Sequence, residues 1–269
     1  MSDAPTILVF DSGLGGLTVF REIAAMRPDA QYVYAADDAA FPYGGWAENE
    51  LADRVVAVMG ELTDRFEPNL VVIACNTAST IVLEELRRRF SLQFVGTVPA
   101  IKPACAMSRT RLVSVLGTEA TVAREYTKVL IRDFGQGCEV TLVGSGHLAV
   151  LAEAHLHGEA VDDAAIAAEI APCFVEKNGA RTDVVVLACT HYPLLLERIS
   201  AAALWPVTFV DPATAIARRV LELIGPGNVV SARSAPSARI HFTSGKQAPG
   251  PLLSALVRFG FHPTVAAST

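Results

Sequence analysis

The sequence predicts an α/β protein: two pseudo-twofold-related doubly wound domains, each built on a mostly parallel sheet, facing a central cleft. Three observations lead there. Residues 69–79 and 183–193 each hold a run of Val, Ile and Leu without polar alternation, the pattern of a strand buried on both faces of a parallel sheet. Strand and helix signals alternate along nearly the whole chain, which implies parallel strands joined by right-handed crossovers. The two apolar runs also end alike, one in Ala74-Cys75 before Asn76-Thr77 and the other in Ala188-Cys189 before Thr190-His191.

In order, strands are expected at 6–10, at 31–36, along the apolar run that stops at Cys75 and at 93–95, with helices opening near residue 17 and covering 47–66 and 80–89. Two prolines at 99 and 103 punctuate the chain, and the strand, turn, helix order then restarts. Strands follow at 111–116, 139–143 and along the apolar run that leads to Cys189, with helices at 122–134, 147–157 and 162–177. The remainder predicts a strand over 205–210, helices over 213–224 and 252–259, and a last strand over 239–243. The first domain is placed at 1–98 plus 209–269, because the tail is too short to fold alone, and the second at 99–208.

The composition suits a large core: 51% of the 269 residues are hydrophobic and the net charge is −6 with acids and bases interspersed. No basic patch points to nucleic acid, and no apolar run nears the ~20 residues of a membrane span, so a cytoplasmic protein is expected. Five cysteines show no disulfide or zinc spacing, as befits free thiols in a reducing compartment. Cys105, Cys138 and Cys173 read as small packed side chains. His147, His155, His157, His241 and His262 form no pattern, and by composition alone Glu153 is a solvated helix residue.

The turn Asp11-Ser12-Gly13-Leu14-Gly15-Gly16 imitates a dinucleotide fingerprint, but Thr18 stands where the third glycine belongs and Asp11 would repel a pyrophosphate. A loop whose N–H groups hold a small carboxylate is the better reading. Cys75 and Cys189 both sit at the ligand-binding edge of a parallel sheet, where a following helix start would lower a thiol's pKa. Cys189 and His191 lack further metal ligands at ordinary spacing, so no metal is expected. A single Cys-His nucleophile would leave the second thiol unexplained.

These motifs together make the chain resemble the glutamate racemases, within the aspartate/glutamate racemase superfamily that works without cofactors. The resemblance runs nearly end to end, through Asp11 to Val19, Pro42-Tyr43-Gly44, Cys75-Asn76-Thr77-Ala78, Gly117-Thr118, Ala120-Thr121-Val122, Cys189-Thr190-His191-Tyr192-Pro193 and Thr243-Ser244-Gly245. Ala36 and Ala40 stand where that family usually has Gly and Arg. The resemblance implies that Cys75 and Cys189 exchange the α-proton of glutamate, Asp11 assisting the first, His191 and Glu153 the second. It also implies that Asp11, Ser12, Tyr43, Gly44, Asn76, Thr77, Thr118, Thr121, Thr190 and His191 hold the substrate, that the product serves peptidoglycan, and that a homodimer is a compatible assembly.

The chemistry has a physical rationale. Inversion removes a proton from one face of Cα and delivers one to the other, which two thiols on opposite sides can do. A thiol of pKa ~8.5 is a few per cent ionised at neutral pH, so a dominant thiolate needs about 2 kcal/mol of help. A helix terminus gives about 0.3–1 kcal/mol, so neighbouring acids and bases must supply the rest. A pyridoxal phosphate route needs a Schiff-base lysine, and none of Lys102, Lys128, Lys177 and Lys246 lies beside the motifs.

Overall fold

The computed structural model describes residues 4–135, 137–227 and 237–261. His262 and the extreme parts of the expected first domain lie outside the described residues. The first half runs β1 (Thr6–Asp11), α1 (Leu17–Met26), β2 (Gln31–Ala36), α2 (Glu48–Phe66), β3 (Leu70–Ile73), α3 (Asn76–Arg89) and β4 (Gln93–Gly96). Next come α4 (Ile101–Met107), β5 (Leu112–Thr118), α5 (Glu119–Ala123), α6 (Glu125–Phe134), β6 (Glu139–Ser145), α7 (Leu148–Leu156) and α8 (Asp163–Ile170). A hairpin, β7 (Glu176–Lys177) and β8 (Ala180–Arg181), precedes β9 (Val184–Ala188), α9 (Leu196–Ala201) and β10 (Thr208–Val210). The chain closes with α10 (Ala213–Ile224), β11 (Ser237–Phe242) and α11 (Gly250–Arg258).

Two parallel sheets result, ordered β11-β2-β1-β3-β4 and β10-β9-β5-β6. Reading the second backwards, β6-β5-β9-β10 repeats β2-β1-β3-β4, so β9 is the counterpart of β3 and β5 of β1. The apolar runs are explained by burial on both faces. Along β1, Ile7 and Val9 enter one core, and Leu8 and Phe10 the other. Along β9, Val185 and Leu187 face one core while Val184, Val186 and Ala188 face its opposite. Fully burying each such side chain stabilises by about 1.5–3 kcal/mol before entropy is counted.

Several expectations shift. The helix after Cys75 begins at Asn76 rather than at 80, with Cys75 as its extended N-cap. Residues 101–107 form a helix that the prolines concealed, because Pro103 sits in the first turn, where no helical N–H is lost. The 122–134 helix breaks at Arg124, whose ψ of 138° is extended. The 162–177 helix stops at Ile170, and Asn178 and Gly179, both with positive φ, turn the short hairpin instead. The strand expected over 205–210 is confined to Thr208–Val210 and pairs with β9, so the boundary drawn between 208 and 209 falls inside a strand of the second sheet. The tail then returns, and β11 pairs with β2 along the first sheet's edge.

Candidate active site

Both cysteines stand at the carboxyl ends of equivalent strands, and both are buried, Cys75 being 5% and Cys189 7% exposed. The backbone ladder carries past β1 and β3, with Ala74 N–H donating to Phe10 O at 2.7 Å and Asp37 N–H to Asp11 O at 2.8 Å. Asp11, Asp37 and Cys75 are thereby fixed along one sheet edge.

The glycine turn after β1 spends its N–H groups on the protein's own side chains. Ser12 and Gly16 N–H donate to Asp11 at 2.8 and 2.7 Å, and Leu14 N–H donates to Glu153 Oε1 at 2.5 Å. The expected capture of a substrate carboxylate by this loop is therefore corrected: internal carboxylates occupy those donors. The glycines serve close approach, because a Cβ at Gly13 would strike the Glu153 carboxylate and one at Gly15 the His191 ring. The turn is the surface on which the second sheet's catalytic candidates rest.

On that side, His191 lies with Nδ1 3.9 Å from Cys189 Sγ and Nε2 2.8 Å from Glu153 Oε1. Gly15 N–H also faces Nε2 at 3.2 Å. One nitrogen cannot donate and accept at once, and the shorter, charge-assisted contact to the carboxylate prevails. Burial alone would push His191 down, but its hydrogen bonds to Cys189 and Glu153 and the charges of Asp11 and Glu153 hold it well above an ordinary histidine. Phe41 packs on the ring with centroids 5.4 Å apart. Glu153, read from composition as solvated, is only 14% exposed in its side chain.

On the first side, the Cys75 Sγ lies 3.8 Å from Ser12 Oγ. Burial and then the Asp11 charge push the Cys75 thiol well above its usual range, and the Cys189 charge adds to the rise. The helix-terminal N–H of Ala78 pulls the other way and loses. The expected lowering of this thiol by its helix start is corrected accordingly: desolvation outweighs the dipole. Burial likewise raises the Asp11 carboxyl, opposed by the His191 charge and the Gly16 and Ser12 N–H groups. The two sulfurs are joined through the same glycine turn, Cys75 facing Ser12 and Cys189 facing the His191 ring that lies against Gly15.

The remaining sequence candidates hold one another across the two sheets. Thr77, Thr118 and Thr121 form a triangle of hydroxyls with sides of 2.9–3.2 Å, joining α3 of the first sheet to β5 and α5 of the second. Gly44 packs against the Thr118 side chain. The Tyr43 hydroxyl donates to Asp37 at 2.6 Å, and the backbone oxygen of Thr190 accepts from Thr18 at 3.3 Å. Asn76 is buried, and among the described residues its side-chain oxygen and nitrogen have no hydrogen-bond partner, a costly state unless a ligand completes it.

Sequence reasoning missed Arg54, which grips Asp37 through two hydrogen bonds of 2.6 and 3.1 Å, and Phe41. Both act across distances that no local pattern encodes. Arg54 supplies a cation beside the loop in which Ala40 stands in place of the family's arginine.

The family model for Asp/Glu/Hydantoin racemases matches residues 16–220. The glutamate racemase of Brucella anthropi is 56% identical over 221 residues, 82% of this chain and 80% of that one. That of Brucella canis is 57% identical over 219 residues, covering 81% and 79%. Among solved structures, Escherichia coli glutamate racemase in complex with L-glutamate and the activator UDP-MurNAc-Ala superposes with a TM-score of 0.85 at 40% identity over 96% of both chains. Bacillus anthracis glutamate racemase RacE1 gives 0.76 at 25% identity over 96% and 94%.

Proposed function

This chain belongs to the Asp/Glu/Hydantoin racemase family and is an enzyme that racemises glutamate; we propose that it does so without a cofactor, Cys75 and Cys189 acting as the two bases. The observation that carries this reading is the pair of buried thiols at equivalent strand ends, each set against the same glycine turn, Cys75 through Ser12 and Cys189 through His191.

In this reading Cys75, raised by burial and by Asp11, starts as the proton donor, and Cys189, 3.9 Å from the Nδ1 of a His191 ring that Glu153 and Asp11 hold protonated, starts as the base. The Cys189 sulfur takes the α-proton as Cys75 delivers its own to the opposite face, and the roles are then exchanged. The pair titrates as a coupled unit. Asn76 and the threonine triangle offer donors to the substrate carboxylates, and desolvation of the closed site strengthens them. The role of the other candidates, Ser12, Tyr43, Gly44, Thr190 and His191, is to shape and bind around the same carbon.

Among the described residues no helix is long and apolar enough to cross a membrane. The reading extends to a cytoplasmic enzyme that supplies D-glutamate for peptidoglycan, with a second copy of the chain as the compatible partner. Racemisation in deuterated water tests the mechanism: the product enantiomer should acquire deuterium at Cα, and Cys75→Ala and Cys189→Ala should each abolish inversion. Turnover near wild type in either variant would overturn it.

A further inference from the structure

Two further sulfurs meet at the opposite end of the second sheet. Cys105, on α4, and Cys138, just ahead of β6, lie 33 positions apart, and the Cys138 Sγ is 3.5 Å from the Cys105 carbonyl oxygen. Arg111, just ahead of β5, spans both: its Nη1 donates to Cys105 O at 3.3 Å and faces Cys138 Sγ at 3.9 Å. Its φ of 63° is left-handed, which costs a non-glycine residue, and its N–H is fixed on Ser108 Oγ at 3.0 Å. Both β5 and β6 run parallel with β9, so their amino ends lie a strand's length from Cys189. Cys105 is fully buried, whereas Cys138 is half-buried and open to small solutes. Burial, then the hydrogen bond and charge of Cys138, push the Cys105 thiol up to about 12, against the pull of Arg111.

We propose that Cys105 and Cys138 form a dithiol that hydrogen peroxide closes to a disulfide, sparing the two sulfurs assigned to the α-carbon. Cys138 is the sulfur a solute reaches, and it reacts first. It attacks one peroxide oxygen as the O–O bond breaks, becoming a sulfenic acid, and the thiol proton leaves with the other oxygen as water. Cys105 then attacks that sulfur: its S–H bond breaks, an Sγ–Sγ bond forms, the Cys138 S–O bond breaks, and a second water departs. Each sulfur loses one electron overall and the peroxide gains two, so two thiols and one peroxide give one disulfide and two waters. Two molecules of a small thiol reverse the change and end as their own disulfide. The link ties α4, the first helix after the chain leaves the first sheet, to the β6 edge of the second.

In the test, the full-length enzyme is treated with one equivalent of hydrogen peroxide, remaining thiols are alkylated, and the digest is mapped by mass. Wild type should lose two hydrogens and yield peptides joined at Cys105 and Cys138, which dithiothreitol separates. Cys105→Ser should stop at the Cys138 sulfenic acid, trapped with dimedone, and Cys138→Ser should leave Cys105 reduced. The link closes a loop of about 33 residues, so oxidised wild type should melt about 5 °C above the reduced form, a rise absent from both variants. It should also racemise glutamate within about twofold of the reduced form, the link being far from the cleft. A link between Cys75 and Cys189 with Cys105 and Cys138 still alkylatable, no dimedone label on Cys138 in Cys105→Ser, or activity lost in step with the link would overturn the proposal.

Discussion

The Thr77 and Thr118 hydroxyls meet at 3.1 Å although the residues lie 41 positions apart and on elements of different sheets. Thr118 also caps α5 by accepting from Thr121 N–H at 3.1 Å, so its side chain is held for the cleft and not free to wander. Thr77→Val keeps the volume and removes one donor without touching a cap. It should raise KM for glutamate about tenfold, the worth of one hydrogen bond to a charged group, with kcat changed less. Steady-state kinetics from both enantiomers measures it.

Glu153→Gln removes the charge that helps keep His191 protonated. The His191 pKa, raised in the folded enzyme, should then fall toward that of an ordinary histidine. Imidazolium is lost as pH rises, so the alkaline limb of kcat/KM should move to lower pH, with activity near neutrality down about 100-fold. A pH profile of unchanged shape would contradict the role given to this carboxylate.

Gly15→Ala places a methyl against the His191 ring. The fold should survive, since the clash is relieved by separating the two sheets, but a displacement near 1 Å should cost about 100-fold in kcat. Circular dichroism and turnover, measured together, separate this from unfolding.

For Asp37, burial alone would raise the carboxyl, but hydrogen bonds from Arg54, Thr243 and Tyr43 outweigh it and hold the group below its ordinary 3.8. A depressed carboxylate contributes stability that is present above pH 3.8 and lost as the pH falls through the lower folded value. Arg54→Ala should destabilise by about 2 kcal/mol at neutral pH and shrink that acid-dependent part. Urea unfolding at neutral and acidic pH reads both.

Asn76→Leu exchanges a buried amide without partners for an apolar side chain of similar size. The free protein should gain about 1 kcal/mol while inversion is lost, a stability-for-activity exchange visible in thermal melts and assays.

The sheets were legible because two-faced burial leaves a local signature: Ile7 to Phe10 and Val184 to Ala188 can only be such strands. The cysteines stood out because the same ending occurs twice. Glu153 was not legible from composition, since its burial arises from contact with Leu14, 139 positions away. The glycine turn misled for a related reason. Its N–H groups do hold carboxylates, but those of Asp11 and Glu153, and only the folded chain shows that these side chains arrive first.

The pairing of β11 with β2 has a consequence for how the molecule is made. A nascent chain leaving the ribosome has all four strands of the second sheet in hand by residue 210, whereas the first still waits for an edge supplied by residues 237–242. Translation therefore finishes the second sheet before the first, and a stalled or truncated chain would leave the β2 edge bare, open to annealing with another strand.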